Sequence, residues 1–450
     1  MRSHLHLFAA LLLLPMVLLH GARPQEAAAA DRVYVVDVEA ACDAIARECA
    51  VLIKSKGIDW KKVRKAFLKE AKDVETDEEH LALLVRLVAR LEDGHASVRR
   101  TDMTSEVPYP NSGVRYKGPG MFWCRVGKKL FVKNSWSGAQ RAGIEPGMEV
   151  LKVEGKPAAA WFAARVASLR DRVGFSTDHH AEAFGLHWGL AEPVGTRVDY
   201  VVKDAKGKSR KRTVTCDRAS FVASGPAFPP AGLQGDRDVT YGKTAGGFGY
   251  IHYRRCKSNI PYRTDEALKA IGPVPGLILD FRANGGGGFN HEDLMGRFIP
   301  VGKELKFTKR YGSRGEEAYG GPLVVIVDGV TRSAGETGSG MFKEDGRAYM
   351  IGPTPTAGMS SSKKTLELPS AKFQLYVSVR SNMGRFQGGK GIEGLGVSPH
   401  ELVPYDPADL LAKRDTQILR AEALLTAFPK KGFPKKAVPY NPKRFGWKAP

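Results

Sequence analysis

What this sequence lacks narrows its function first. No Cys/His spacing resembles a zinc site, so a zinc-built fold is excluded. Its glycine run has neither a Gly-Lys-Ser/Thr ending nor dinucleotide spacing, which removes phosphate-loop and dinucleotide readings. No nucleic-acid module is present. Cysteine is sparse: Cys42, Cys49, Cys124, Cys216 and Cys256. An odd number leaves at least one unpaired within the chain. Cys42 and Cys49 lie two turns apart on a helix, too far to bridge, while Cys124 and Cys216 stay open as a pair. Long apolar runs are missing apart from Leu7 to Leu19, broken by Pro15, which is too short to span a bilayer. One Arg precedes that run and Ala-rich sequence follows, so residues 1–30 read as a secretory signal cleaved between Ala22 and Ala30. No cysteine near that point suggests a lipid anchor. Acids are short against a net charge of +21, and none follows Glu422. Lys430, Lys431, Lys435, Lys436, Lys443, Arg444 and Lys448 give a basic tail suited to anionic envelope surfaces, or simply to solubility.

The length suggests about three domains. From Val36 to Leu91 apolar residues recur at helical spacing, as in Val63 and Phe67, then Leu81, Leu84, Val88 and Leu91. Thr76 suits a helix start, and a small bundle of about three helices is expected. It ends at Asp93-Gly94-His95, where a histidine is ordinarily a surface or capping residue. From Tyr109 to Cys216 the pattern turns to strands, with turns at Pro146-Gly147, Glu154-Gly155 and Gly207-Lys208. The pair His179-His180 reads as an exposed helix end or loop, because no ligand recurs at metal spacing. Phe221 to Gly235 reads as a linker. Beyond it come alternating short strands and helices, the mark of an α/β sheet.

Two stretches there carry chemistry. Leu323 to Val327 is a buried-strand pattern, Asp328-Gly329 a turn, and Ser333 opens a helix-compatible segment to Phe342. A serine at such a junction is exposed beside free helix N–H groups that stabilise negative charge; the plain alternative is an N-cap. The run Gly285 to Gly288 follows the strand Gly276 to Arg282. It reads as a flexible turn, or as backbone N–H groups close to a ligand, as in an oxyanion hole.

The run SWSGAQRAGIEPGMEVLKVEGKPA resembles a PDZ core, which binds an extended peptide as an added strand and holds its carboxylate in N–H groups. Gly118 to Phe122 lies at that carboxylate loop. The motifs GLILDFRANGGG, VDGVTRSAGETGSGMFKEDGRA and GKGIEGLGVSPHELVP resemble the C-terminal processing (tail-specific) serine peptidase family. Ser333, three residues before Glu336, falls on its nucleophile. Many members pair that serine with a lysine in Thr-x-Gly-Lys-Gly. Here Thr356-Ala357-Gly358-Met359-Ser360 puts Met359 at that place, and Met cannot take a proton. A dyad would need Lys363 or Lys364 instead. The tricorn-like branch uses Ser, His and Glu, and Asp93-Gly94-His95 and Ile392-Glu393 match its segments. The resemblance therefore implies Ser333 as nucleophile, His95 as general base and Glu393 orienting the imidazole. It implies an oxyanion hole of the Ala334 and Gly286 N–H groups. Pairing with Glu393 is expected to raise the His95 pKa.

The implied architecture is α+β and multidomain. Its parts are an N-terminal helical bundle (31–105), a PDZ-like β-rich domain (106–218), a linker (219–238), a ClpP/crotonase-like α/β catalytic domain (239–405), and a C-terminal helix with basic tail (406–450). The implied function is an exported serine endopeptidase, periplasmic or extracellular. It would cut unfolded or C-terminally exposed polypeptides without metal or cofactor, binding substrate C-termini through the PDZ-like domain and no nucleic acid. The alternative is an inactive binding protein or envelope scaffold on the same fold.

Overall fold

The computed structural model describes residues 24–217, 225–306, 310–382 and 386–427. The part of the expected signal segment before residue 24, and the basic tail from residue 428 onward, lie outside the described residues.

Four helices come first: Pro24–Glu48, Ala50–Lys56, Trp60–Glu70 and Asp77–Ala89. Asp59 caps the third through the Lys62 N–H, and Thr76 caps the fourth in a reciprocal box with Glu79. Their apolar faces close around Val38, Ile45, Phe67, Leu84 and Leu87. The same core takes in Val98, Leu366, Phe373, Leu375 and Val377 from elsewhere in the chain. That sharing is built by a three-stranded antiparallel sheet. Its middle strand, Phe373–Ser381, pairs with Ser97–Arg100 on one side and Ser361–Glu367 on the other. The helical region and the late part of the chain are thus knitted together next to His95.

The middle region has strands Met121–Val126, Lys129–Ser135, Glu149–Val153, Lys156–Pro157, Arg197–Lys203 and Ser209–Thr215 in one sheet. Alternation along Arg197–Lys203 buries Val198, Tyr200 and Val202. Two helices, Ala158–Arg172 and Asp178–His187, occupy the stretch from Trp161 to Leu190.

The third region is a seven-stranded sheet. Its order is Gln234–Gly235, Val239–Lys243, Gly249–Tyr253, Leu277–Asp280, Leu323–Ile326, Tyr349–Gly352 and Glu401–Leu402. The last five run parallel. Leu277–Asp280, Leu323–Ile326 and Tyr349–Gly352 are buried throughout, as a sheet covered on both faces requires. Leu277 and Leu279 face the helices Ile260–Ile271, His291–Gly296 and Ala334–Glu344. Ile278 faces the opposite helix, Thr416–Thr426. Arg282, fully buried, joins this second layer to the sheet by pairing with Asp280 at 2.6 Å and Asp415 at 2.9 Å.

Three sequence expectations change. The proline-rich stretch is no loose linker: Gly225 and Ala227 are buried, Lys133 Nζ donates to the Gly225 carbonyl, and Gln234–Gly235 is a strand. All five cysteines are free and buried; Cys124 packs against Ala227, Tyr405 and Leu410 while Cys216 sits in the middle core, so no bridge forms. His180 is buried, not exposed, and His179 Nε2 reaches the Thr356 carbonyl at 2.6 Å. Among the described residues no helix is long and apolar enough to cross a membrane.

Candidate active site

The site forms at the C-terminal edge of the parallel strands, where connecting loops of an open α/β sheet converge. After Leu323–Ile326 the chain turns through Asp328, whose carboxylate accepts the Val330 and Thr331 N–H groups. It then reaches Ser333 with φ 56° and ψ −124°. A serine in this left-handed region costs roughly 1–3 kcal/mol and persists only when its surroundings fix it. They do: the Ser333 N–H lies 3.1 Å from the Met359 carbonyl and 3.0 Å from Glu336 Oε2. Ser333 stands at the N-cap position of Ala334–Glu344, where Glu336 reaches back to its N–H; the atom turned to the rest of the site is its Oγ. It faces His95, with Oγ and Nε2 3.3 Å apart.

His95 is held by the turn before it. Asp93, buried, accepts the His95 N–H at 2.8 Å and the Ser378 N–H at 2.9 Å. The next strand, Ser97–Arg100, is registered on Phe373–Ser381 with Val98 opposite Leu375. Gly94 leaves room for the Met359 side chain. Its N–H donates to Ser176 Oγ, and a Cβ there would lie 2.7 Å from Met359 Sδ. The residue standing in place of the family lysine therefore packs against the histidine turn.

Glu393 joins them from the loop that follows the short turn Phe386–Gly389. It is buried, and Asp93, His95 and Glu393 bring one oxygen or nitrogen each within 4.8 Å of one another. Among the described residues His95 Nδ1 and Glu393 Oε2 are buried without a hydrogen-bond partner. Glu393 Oε1 is engaged by Lys56 Nζ at 2.9 Å. These three side chains offer ligand types a metal accepts. However, both Asp93 oxygens hold backbone N–H groups and Lys56 already supplies a cation, so the set suits proton handling better.

Electrostatics differ from the sequence expectation. The His95 pKa is lowered to about 4, not raised: burial is the largest cause, Lys363 adds to it, and Asp93 opposes. The imidazole is therefore neutral, the form a general base needs. Burial also raises Glu393 to about 7, Asp93 adds to this, and Lys56 opposes. Lys363 is exposed and Lys364 pairs with Glu48 at the surface, so the Ser333 hydroxyl meets His95 and neither lysine.

The glycine run lies against the nucleophile: a Cβ on Gly286 would fall 2.7 Å from Ser333 Cβ. Its expected oxyanion role needs correction in this conformation. The Gly286 N–H donates to Asn284 Oδ1 at 2.8 Å, and those of Gly285 and Gly288 go to the Arg254 and Cys256 carbonyls. No acceptor meets the Ala334 or Gly287 N–H among the described residues.

Three residues escaped the sequence reading as site components. Glu336 is fully buried and accepts from Thr356 Oγ1, Gly358 N, Met359 N and Ser333 N, tying the serine to the loop carrying Met359. Asp93 and Lys56 place the histidine turn and Glu393. Asp93 and Glu336 were legible as acids beside the motif residues; Lys56 carried no signal.

Comparison with known proteins adds lineage to this geometry. Residues 247–403 match peptidase family S41. The carboxyl-terminal-processing protease of Picosynechococcus sp. is 23% identical over 387 residues, covering 82% of this chain and 84% of that one. The chloroplastic C-terminal processing peptidase of Tetradesmus obliquus is 24% identical over 372 residues, covering 78% and 73%. The solved structure of mature CPAF complexed with lactacystin superposes with a TM-score of 0.65 at 12% identity, covering 88% of this chain and 99% of that one, and so shares its fold. Residues 247–403 thus match peptidase family S41, and the chain is a serine-type peptidase.

Proposed function

We propose that this chain is an exported endopeptidase of the tricorn-like Ser-His-Glu kind. It would cut unfolded or C-terminally exposed polypeptides through an acyl-enzyme on Ser333. The observation that supports this most is the 3.3 Å approach of His95 Nε2 to the Oγ of a serine held at positive φ. A serine hydroxyl is a weak nucleophile until a base takes its proton. Neutral His95 takes it as Oγ attacks the scissile carbonyl, then returns it to the leaving amine. Glu393 stabilises the imidazolium formed between those steps. The Ala334 N–H, at the start of the helix Ala334–Glu344, would meet the oxyanion. A second donor would come from Gly287, or from Gly286 once Asn284 releases it. Water then repeats the sequence on the ester.

Substrate capture by the PDZ-like region is a separate proposal. Met121–Val126 is the terminal strand of its sheet, as strand addition needs. Phe122 there lies against Trp136 and His187, so a peptide must displace that cover.

The test of the nucleophile is fluorophosphonate labelling of the purified protein. Label should map to Ser333 and vanish in Ser333→Ala, whose proteolysis should fall by more than about a thousandfold. Label elsewhere, or an active Ser333→Ala protein, would point to another nucleophile.

A further inference from the structure

A cavity of about 490 Å³ lies between the middle-region helices and Arg332, the residue preceding Ser333. Three arginines line it: Arg165, Arg172 and Arg332. Among its lining residues none is acidic. Leu169, Phe184 and Trp188 supply apolar wall. Arg165 is balanced by Glu192. Arg172 and Arg332 have no carboxylate partner among the described residues, and Arg332 is anchored only by Nε on the Gly285 carbonyl at 3.3 Å. Burial lowers the Arg332 pKa, and the nearby Glu336 opposes this. A half-buried guanidinium held by a single backbone carbonyl retains its outer fork of donors. That fork matches a carboxylate in two-point geometry. It belongs to the residue bonded to Ser333 and its Nε reaches the Gly285 carbonyl, so a group it binds lies within a side chain's length of the nucleophile's backbone.

We propose that this cavity is a specificity pocket for a substrate carboxylate within a few residues of the scissile bond. Arg332 and Arg172 would hold the carboxylate, and Leu169, Phe184 and Trp188 would cover its apolar stem. The proposal rests on the peptidase reading of Ser333 and names the substrate chemistry that site selects. A carboxylate can come from a Glu or Asp side chain or from the chain end, and both would use the same donors. A lysine or arginine side chain would meet like charge in a half-buried pocket and be rejected.

The test uses the full chain and matched peptides. These differ only by Glu or Gln at each position near the cleaved bond, and each is made with a free or an amidated C-terminus. Charge-assisted hydrogen bonds of this kind should raise kcat/KM roughly tenfold for Glu over Gln, or for free end over amide. The first result assigns the pocket to a side chain, the second to the chain end. In Arg172→Gln and in Arg332→Gln the same ratio should fall towards one. Since Arg332 adjoins the nucleophile, the ratio within each variant is the readout, not its overall rate. Wild-type ratios near one in both arms overturn the pocket, as does a high ratio unchanged by both substitutions. If no peptide is cut, the peptidase reading fails. Fluorescence anisotropy of the same peptides on Ser333→Ala then judges the pocket alone: tighter binding of the carboxylate forms keeps it, and equal binding removes it.

Discussion

Lys56 Nζ lies 2.9 Å from Glu393 Oε1, with 6% and 0% of the two side chains exposed, across 337 residues of sequence. The same ammonium donates to the Glu92 carbonyl at 2.5 Å, just before the turn that carries His95. One cation from the helix Ala50–Lys56 therefore holds both the carboxylate and the histidine turn. Lys56→Met leaves a buried carboxylate unpaired, which typically costs about 3–5 kcal/mol. Denaturant unfolding should show that loss, turnover should fall at least roughly tenfold through misplacement of Glu393, and Lys56→Arg should restore part of both. A Met variant of unchanged stability and rate would mean that the pair is incidental.

The pH dependence follows from two opposite shifts. His95 is lowered from 6.5 to about 4, so it is a neutral base well below neutrality. Glu393 is raised from 4.5 to about 7, so it carries its charge only above that value. The rise of kcat/KM with pH should therefore centre near 7 and report Glu393. In Glu393→Gln this limb should disappear, and the smaller remaining activity should hold down towards the His95 value. The stability signs differ as well. The lowered His95 contributes stability that is present above 6.5 and lost as pH falls through about 4. The raised Glu393 contributes stability that is present below 4.5 and lost as pH rises through about 7. Rate profiles and denaturation curves of the two proteins check both. An unchanged limb in Glu393→Gln would remove Glu393 from the mechanism.

The identity of the base is decided by substitution. His95→Gln should cost several orders of magnitude in turnover, as loss of a triad base does. Lys363→Met and Lys364→Met should stay close to the parent rate, because Lys364 is spent on Glu48 and the Ser333 hydroxyl faces His95. A dead lysine variant beside an active His95→Gln would reverse the assignment.

The sequence made part of this site legible because its chemistry is local. Strand, turn and serine are contiguous, and so are strand and glycine run; their periodicity and small residues show in any window. Met359 was readable as a missing base for the same reason. What the sequence could not show were contacts set by folding. The Lys56–Glu393 pair needs the helical region docked on the late loop, and Lys56 reads only as one more lysine near a helix end. The direction of the His95 shift was missed because carboxylate pairing was weighed and burial was not, and burial dominates. The sequence did not show that the Gly286 N–H is occupied in this conformation, because Asn284, two residues earlier, folds its side chain back onto it. The linker reading failed where proline-rich composition met tertiary packing around Gly225 and Ala227.

Glu336 should prove to be a positioning residue that acts on rate more than on binding. Its two oxygens accept four hydrogen bonds: Thr356 Oγ1 at 2.6 Å, Gly358 N at 2.7 Å, Met359 N at 2.8 Å and Ser333 N at 3.0 Å. All four partners are donors, so the site wants acceptors only. Burial raises the Glu336 pKa to about 7, while these bonds pull it down. Glu336→Gln keeps size and shape but turns one oxygen into an NH2 group that must face a donor. Whichever way the amide settles, either the Gly358 and Thr356 donors lose their acceptor or the Met359 N–H does, and in the second case Ser333 N keeps only the Met359 carbonyl. Each buried donor left unpaired costs about 1–3 kcal/mol, so unfolding should shift measurably. The Ser333 backbone is held at positive φ partly by this carboxylate, and a small displacement of a nucleophile can cost about a hundredfold. Turnover and the rate of fluorophosphonate labelling should therefore fall together, with KM for a peptide substrate nearly unchanged. Glu336→Asp, one methylene short, should not restore the rate. If instead KM rises while labelling of Ser333 keeps its parent rate, Glu336 acts on substrate binding and not on the geometry of the nucleophile.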